Sequence, residues 1–350
     1  MHEPGGPNVA IVGATGAVGR ELLTLLAERD FPCRSLRLLA SLRSAGRRFD
    51  FRGRDLVVEA VTDRAFDGVD IAFFSAGASI SRAFAPAAVA AGALVIDNSS
   101  AFRMDADVPL VIPEVNGDAL DAIKPDRPGI IANPNCSTII ALVAVTPLHR
   151  AAGVRRMVVS TYQAASGAGA AWMNELEQQA RDYAAGRELT TVTTGRAYLF
   201  NVFSHDSPIG PDGYNTEEMK LLRETRKIWN DERVRISAMC VRVPVLRAHC
   251  ESINLTFDRP LSEDEAREVL RSAPGVRIVD DREANRFPEP IDATGVDEVL
   301  VGRIRADISQ DPNMGLDLFI AGDQLRKGAA LNAIQIAERL RAREAVSGSL

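Results

Sequence analysis

The first 135 residues alternate short apolar runs with helical patterns, and that alternation narrows the available folds more than any other feature of the chain. "NVAIVGA" (residues 8–14), "SLRLLAS" (35–41), "VDIAFFSAG" (69–77) and "ALVIDNS" (93–99) read as strands. "GRELLTLLAERD" (19–30) reads as a helix with Leu22, Leu25 and Leu26 on one face, and "SRAFAPAAVAAG" (81–92) as another despite Pro86. Strands that alternate with helices build a parallel sheet covered on both faces. The expected fold class is α/β, with an N-terminal Rossmann-type doubly wound parallel sheet and a second α+β domain.

The second domain is read from a change of pattern. "RRMVVSTYQAASGAG" (155–169), "RVRISAMCVRVPVL" (233–246), "HCESINLTFDRPL" (249–261) and "LDLFIAGD" (316–323) are strand-like runs with few helices between them, which predicts a mixed, largely antiparallel sheet. "KGAALNAIQIAERLRARE" (327–344) reads as an uninterrupted amphipathic helix. A chain of 350 residues suits two domains. The expected bounds are 1–135 for the first, 136–328 for the second and 329–350 for a terminal helix returning to the first.

The net charge of -6 and the lack of a long basic run argue against nucleic acid and anionic membranes as partners. No apolar segment reaches the roughly 18–20 residues needed to span a bilayer. The N-terminal stretch lacks a basic region followed by an apolar one, so no secretory signal is expected. Cys33, Cys136, Cys240 and Cys250 show no CxxC spacing, and a reducing cytoplasm is the expected compartment.

"GATGAVGR" (13–20) joins the first strand to the first helix in the form GxxGxxG. Glycine permits a tight turn and lets backbone N–H groups approach a pyrophosphate at a helix N-terminus. An ordinary strand–helix turn is the alternative, but the setting favours a dinucleotide held by Gly13, Thr15, Gly16, Ala17 and Val18. NAD binders usually place an acid at the end of the second strand for the ribose 2′-OH. Here "LLASLRSAGRR" (38–48) offers Ser41, Arg43 and Ser44 and no acid, which suits a 2′-phosphate, so NADP is favoured; a solvated loop arginine is the other reading of Arg43.

"NPNCST" (133–138) sets Cys136 at the start of the apolar helix "IIALVAVTPLHR" (139–150). Unpaired N–H groups and the positive dipole end favour thiolate there. A small buried hydrophobe is the commoner fate of a free cysteine and fits Cys33 and Cys240 better. A thiol nucleophile needs a base. His2 lies near the terminus, and His149 is at the far end of the cysteine's own helix, about 20 Å away at 1.5 Å per residue. Of the two that remain, His249 follows an apolar strand that also carries Arg242, whereas His205 in "FSHDSP" reads as a loop residue. A thiolate beside a nicotinamide can add to an aldehyde, and the hemithioacetal then gives up hydride to leave a thioester. No HExxH or clustered acidic motif points to a metal, and no GxSxG to a serine hydrolase.

With these residues in place the chain resembles the aspartate-semialdehyde dehydrogenases over nearly its whole length. The shared stretches are "GATGAVG", "FFSAG" (73–77), "DNSSAFR" (97–103), "NPNCST", "YQAASGAG" (162–169), "YNTEEMK" (214–220), "VRVPVLRAHCE" (241–251) and "NAIQIAE" (332–338). The resemblance implies interconversion of aspartate semialdehyde and aspartyl phosphate with NADP and inorganic phosphate, in the biosynthesis of lysine, threonine, methionine and isoleucine. It makes Cys136 the nucleophile and His249 the acid/base, with Gln163 orienting the acyl-enzyme. It places Arg242 on the substrate carboxylate, Glu217 on its amine, and Arg103, Lys220 and Asn135 on phosphate. It adds Ser75, Gly77, Ser166, Gly167 and Asn332 to the cofactor contacts, and implies a homodimer through the second domain. By itself "TEEMK" reads as a solvated helix face. The chain departs from the family pattern at Cys250, where serine is usual, which would leave a second thiol near the site. The rivals are N-acetyl-glutamyl-phosphate reductase, whose cysteine motif resembles PGCY rather than "PNCST", and a non-catalytic NADP-binding paralogue.

Overall fold

The computed structural model describes residues 6–123 and 128–347. They fall into two compact units, one made of the described parts of Met1–Asn135 and Ala329–Leu350, the other of Cys136–Gly328.

The first unit is built on β1 (Asn8–Val12), β2 (Ser35–Ala40), β3 (Arg48–Phe51), β4 (Arg54–Ala60), β5 (Ile71–Phe74), β6 (Leu94–Asp97) and β7 (Ile130–Ala132), with α1 (Ala17–Glu28), α2 (Ala78–Ala90) and the short α3 (Pro113–Asn116). Among the described residues these strands form one sheet in the order β3-β4-β2-β1-β5-β6-β7, parallel except for β3. Chain direction across the sheet reverses at β1, whose neighbours are β2 and β5. Ligands of such sheets bind at that switch point, beyond the carboxyl ends of the strands.

Residues of β1 alternate between two cores. Val9 and Ile11 join Leu22, Leu25 and Leu26 of α1, whereas Ala10 and Val12 join Phe74, Ala85 and Ala88 on the other face. A strand buried on both sides carries no polar positions, which explains the unbroken apolar run. The β3–β4 hairpin escaped the sequence reading. Its two-residue turn is Arg52-Gly53, both at positive φ (53° and 75°), a geometry that Asn-Gly usually signals. Arg52 holds that conformation by donating from Nη2 to the Leu26 carbonyl at 2.8 Å.

The second unit contains α4 (Cys136–Ala152), β8 (Val154–Gln163), α5 (Ala170–Ala184), β9 (Phe203–Ser204), α6 (Thr216–Trp229), β10 (Arg235–Arg242), β11 (His249–Phe257), α7 (Glu263–Arg271), β12 (Val276–Ile278), α8 (Pro290–Ala293), β13 (Val299–Ala306) and β14 (Gly315–Gly322). Its strands run in the order β12-β13-β14-β11-β8-β10-β9, with β8–β10 and β12–β13 parallel and the other pairs antiparallel. The expected mixed, largely antiparallel sheet is present. More helix intervenes than expected: α5, α6 and α7 are polar stretches without an apolar run to betray them. Two of them do carry a start signal in the sequence, since Asn215 with Glu218 and Ser262 with Glu265 form reciprocal capping boxes.

α4 packs against β11 and β14, with α6 and α7 alongside. Every residue from Ser137 to Thr146 is buried, so this helix is apolar all round because it is enclosed all round. The terminal helix differs from the expected uninterrupted amphipathic one. It opens with a π-helical turn, Arg326–Ala330, and continues as α9 (Leu331–Ser347). Ala330, Leu331, Ala333, Ile334, Ile336 and Ala337 are buried in the β1–α1 core of the first unit, so the early turns of α9 have no solvent stripe.

Candidate active site

Strand direction assembles the site of the second unit. β8 and β10 run parallel and end in register at Gln163 and Arg242, while antiparallel β11 starts at the same edge with His249. Three polar residues from three strands therefore meet at one end of one sheet. All three are buried.

Cys136 is the first residue of α4, and no acidic residue occupies the first turn. Pro134 biases Asn133 towards extended backbone and so stops the helix from starting earlier. A Cβ on Gly328, in the π-turn, would come within 2.9 Å of the Cys136 Cβ, so glycine there leaves room for the thiol. Ser137, the next residue, accepts a hydrogen bond from Gln163 Nε2 at 3.1 Å. The same amide donates to Thr161 Oγ1 at 3.3 Å and to Glu217 Oε1 at 3.3 Å, while Gln163 Oε1 accepts from Arg242 Nη1 at 3.4 Å. Gln163 thus links the cysteine helix, α6 and β10.

His249 is fully buried, and its Nδ1 accepts the Ala164 backbone N–H at 3.0 Å. A neutral imidazole whose Nδ1 accepts carries its proton on Nε2. That Nε2 has no hydrogen-bond partner among the described residues. Burial, then the neighbouring Arg242 charge, pushes the imidazole down to about 3. The ring is therefore neutral across the working pH range and can donate from Nε2. A Cβ on Gly167 would come within 2.9 Å of both His249 Cε1 and Nε2, so glycine lets the backbone lie against the ring. Ser166 beside it is buried and accepts from Gln324 Nε2.

Arg242 is aimed by four bonds. Nε and Nη2 each donate to Asp206 Oδ1 at 2.9 Å, and Nη1 donates to Gln163 Oε1 and, at 3.3 Å, to the Ala164 carbonyl. The guanidinium also lies 5.5 Å from the Trp172 ring centroid. Nothing in the sequence marks Asp206, and its neighbour His205 reads there as a loop residue. His205 is largely enclosed, accepts from the Ser207 N–H at 3.1 Å, and is driven down by burial and then by Arg242.

"TEEMK" is no solvated face. Glu217 is 4 % exposed, with Oε1 on Gln163 and Oε2 accepting from Lys220 Nζ at 2.8 Å. Two residues beyond His249 on the same strand face, Glu251 is wholly buried, with neither carboxyl oxygen hydrogen-bonded among the described residues. Burial, and then repulsion from Glu217, raises its carboxyl well above the usual range. Burial of two carboxyls that repel each other favours the protonated form of Glu251.

Cys250 does not add a thiol to this cluster. Alternation along β11 turns it to the opposite face, among Ala248, Ala293, Leu300 and Ala321, where burial pushes the thiol up to about 12. Cys240 is buried and likewise raised, and burial lifts Cys33 to about 11. His149 caps α4 by accepting the Val154 N–H at 3.0 Å and stacks on Trp229. His2 lies outside the described residues.

The cofactor candidates of the first unit sit at its switch point. Gly13 has φ 88°, and a Cβ there would come within 2.8 Å of the Ser75 carbonyl group, so the β1 and β5 loops close only on a glycine. Gly19 is tighter still, since its Cβ would lie 2.2 Å from the Gly13 oxygen. α1 starts from Gly16 and α2 from Gly77, both without a side-chain cap or a first-turn acid. Two uncapped helix starts beyond the ends of β1 and β5 suit a pyrophosphate. Ala17 and Val18 open α1. Thr15 Oγ1 donates to Ser44 Oγ at 3.5 Å, tying the glycine loop to the 3-10 turn Leu42–Ser44 after β2. Ser41 and Arg43 there are exposed, and this turn holds no acid. Ser75 Oγ donates to the Val12 carbonyl at 3.1 Å, and Asn332 Nδ2 to the Val111 carbonyl at 2.9 Å and to Asn133 Oδ1 at 2.6 Å. These residues fit a dinucleotide with a 2′-phosphate. Arg103, also in this unit, is buried and donates to the Asn133 carbonyl at 2.9 Å and the Asn98 carbonyl at 2.8 Å; Asn135 is buried.

Residues 8–123 match the family described as "Semialdehyde dehydrogenase, NAD binding domain", and 145–327 the one described as "Semialdehyde dehydrogenase, dimerisation domain". The aspartate-semialdehyde dehydrogenase of Synechocystis sp. is 54% identical over 332 residues, covering 95% of this chain and 96% of the relative. The crystal structure of aspartate semialdehyde dehydrogenase II from Vibrio cholerae, complexed with ASA, superposes with a TM-score of 0.92 at 43% identity, covering 97% of this chain and 99% of that one. The Candida albicans enzyme with NADP gives 0.73 at 25% identity, covering 97% and 99%. The glycine switch point, the thiol opening a buried helix and this similarity over almost the whole length converge: the chain belongs to the aspartate-semialdehyde dehydrogenase family.

Proposed function

We propose that Cys136 carries the chemistry of the family reaction and that His249, Gln163, Arg242 and Glu217 arrange the substrate around it. That reaction is the NADP-linked interconversion of L-aspartate 4-semialdehyde and L-4-aspartyl phosphate, on the route to lysine, threonine, methionine and isoleucine. The observation that carries the assignment of roles is a cysteine at the first residue of an enclosed helix, one residue from the serine that Gln163 holds.

In the oxidative direction the Cys136 sulfur adds to the aldehyde carbon. The first-turn N–H groups of α4 favour the thiolate, so no base need remove its proton during attack. The developing oxyanion takes a hydrogen bond from His249 Nε2–H, the donor that the Ala164 contact fixes. His249 is thus suited to the acid half of the expected acid/base role. Gly13, Thr15, Gly16, Ala17, Val18, Ser41, Arg43, Ser44, Ser75, Gly77, Ser166, Gly167 and Asn332 would hold NADP, which would supply the acceptor for the aldehydic hydride. Gln163 holds the acyl group on Cys136. Phosphate oxygen then attacks the thioester carbon and the cysteine leaves as thiolate. Arg103, Lys220 and Asn135 are the proposed phosphate ligands, with Arg242 on the substrate carboxylate and Glu217 on its amine.

A homodimer through the second unit is supported by the match to the dimerisation domain and by a sheet face that exposes Tyr162 and Met239. A reducing cytoplasmic setting accords with four free cysteines. Among the described residues no helix is long and apolar enough to cross a membrane.

Phosphate as acyl acceptor gives the decisive experiment. Aspartate semialdehyde and NADP in phosphate-free buffer should yield at most about one NADPH per active site and then stall, because two bound cations position phosphate rather than water. Added phosphate should restore turnover, and Arg103→Ala should raise the phosphate KM far more than the aldehyde KM. Steady turnover without phosphate would overturn this reading.

A further inference from the structure

Asp206 meets Arg242 through a single oxygen. Oδ1 takes both the Nε and the Nη2 donors, so one oxygen carries the whole contact with the guanidinium. The Asp206 side chain is 40 % exposed although the guanidinium side chain it holds is 3 % exposed. Burial pulls the Asp206 carboxyl upward, but Arg242 and His205 outweigh it and hold it below the usual carboxylate range. The site therefore presents an ionised, accessible oxygen beside a buried guanidinium.

The other carboxyls nearby are differently placed. Glu217 is buried, and each of its oxygens already accepts a hydrogen bond, one from Gln163 and one from Lys220. Glu251 is enclosed, and burial raises its carboxyl well above the usual range. His205 stands 3.8 Å from Asp206 Oδ1, and burial, then the Arg242 charge, lowers its own ring.

The substrate is an α-amino acid, whose ammonium nitrogen is two bonds from the carboxylate carbon. A guanidinium that holds the carboxylate brings the ammonium within hydrogen-bond reach of an anion bonded to that same guanidinium. We propose that Asp206 is a second anchor for the substrate α-ammonium, and so a specificity-determining residue that separates α-amino aldehyde acids from their des-amino counterparts. This rests on Arg242 as the ligand of the substrate carboxylate. An ammonium group has three donors, so Asp206 and Glu217 can share it.

The test compares Asp206→Asn with wild type on two aldehydes, aspartate semialdehyde and succinate semialdehyde, which lacks only the α-amino group. Asparagine keeps an oxygen for Arg242 and removes the charge. The aspartate semialdehyde kcat/KM should fall by about 10–30-fold, mostly through KM, and that for succinate semialdehyde should change less than about twofold. Where the des-amino aldehyde turns over too slowly, its Ki as a competitor is read instead. A thermal midpoint within about 2 °C of wild type shows the fold intact. Equal losses on both aldehydes would make Asp206 a support for Arg242 alone, and no loss on either would remove it from recognition; each overturns the proposal. Failure of the underlying reading would show separately, as an Arg242→Lys variant with an unchanged KM for aspartate semialdehyde.

Discussion

The two regions that do the binding are made of different material. At the switch point of the first unit the working groups are backbone N–H groups, and Gly13, Gly16 and Gly19 matter for the side chains they lack. In the second unit Gln163, Arg242, Glu217 and His249 are all buried and bonded to the protein itself. A surface of backbone amides tolerates water until its ligand arrives. A buried polar cluster is held largely by its own bonds, and each group left unpaired, as His249 Nε2 is among the described residues, costs about 1–3 kcal/mol. The difference predicts that damage in the second unit reaches chemistry and stability together, whereas damage around the first unit's loop reaches affinity.

The largest break is at Cys136. A serine hydroxyl is almost wholly protonated near neutral pH, so Cys136→Ser should lower turnover by at least about 1,000-fold while NADP binding, read by fluorescence titration, stays within about twofold. Near-normal turnover would end the covalent mechanism and with it the contrast between the two regions.

His249 tests the cost of burial. Its ring is depressed to about 3 in the folded protein against 6.5 as the ordinary value, so the unfolded chain binds the extra proton between those limits. Stability from this group is present above pH 6.5 and is lost as pH falls towards 3. Relative to His249→Asn, which cannot titrate, the wild type should lose roughly 2–3 kcal/mol of unfolding free energy between pH 7 and 4.5, measured by denaturant titration. Parallel pH curves would show that the imidazole is solvated.

The smallest effect belongs to the exposed loop. Arg43→Ala should weaken NADP by about 1.5–3 kcal/mol, the scale of hydrogen bonds to charged groups, with little change for NAD and none in thermal midpoint. Equal losses for both cofactors would mean that Arg43 shapes the turn and does not read the phosphate.

Legibility follows the same division. The glycine loop is seven residues long, and "NPNCST" is local too, so both stand out in one window of sequence. Asp206 does not: nothing in "FSHDSP" marks an acid that will take an arginine from a strand thirty-six residues on. Glu217 looked solvated because charged residues at helical spacing usually are, and only the resemblance to a family singled it out. Gly328 and Ser137 carry no chemical signal at all. The π-turn that brings Gly328 against Cys136 was hidden inside what read as a regular helix.

By itself the sequence determined the α/β alternation, the phosphate-type loop and a cysteine poised at a helix start, since each depends on residues within a few positions of one another. Tertiary structure decided which polar residues share a strand edge, which nitrogen of His249 the Ala164 N–H leaves free to donate, that Glu251 is enclosed, and that Cys250 turns away. These depend on strand order and register, which are set by the burial of whole faces at once. No local window contains that information, because strands β8, β10 and β11 meet at Gln163, Arg242 and His249 only when the strands pair in register.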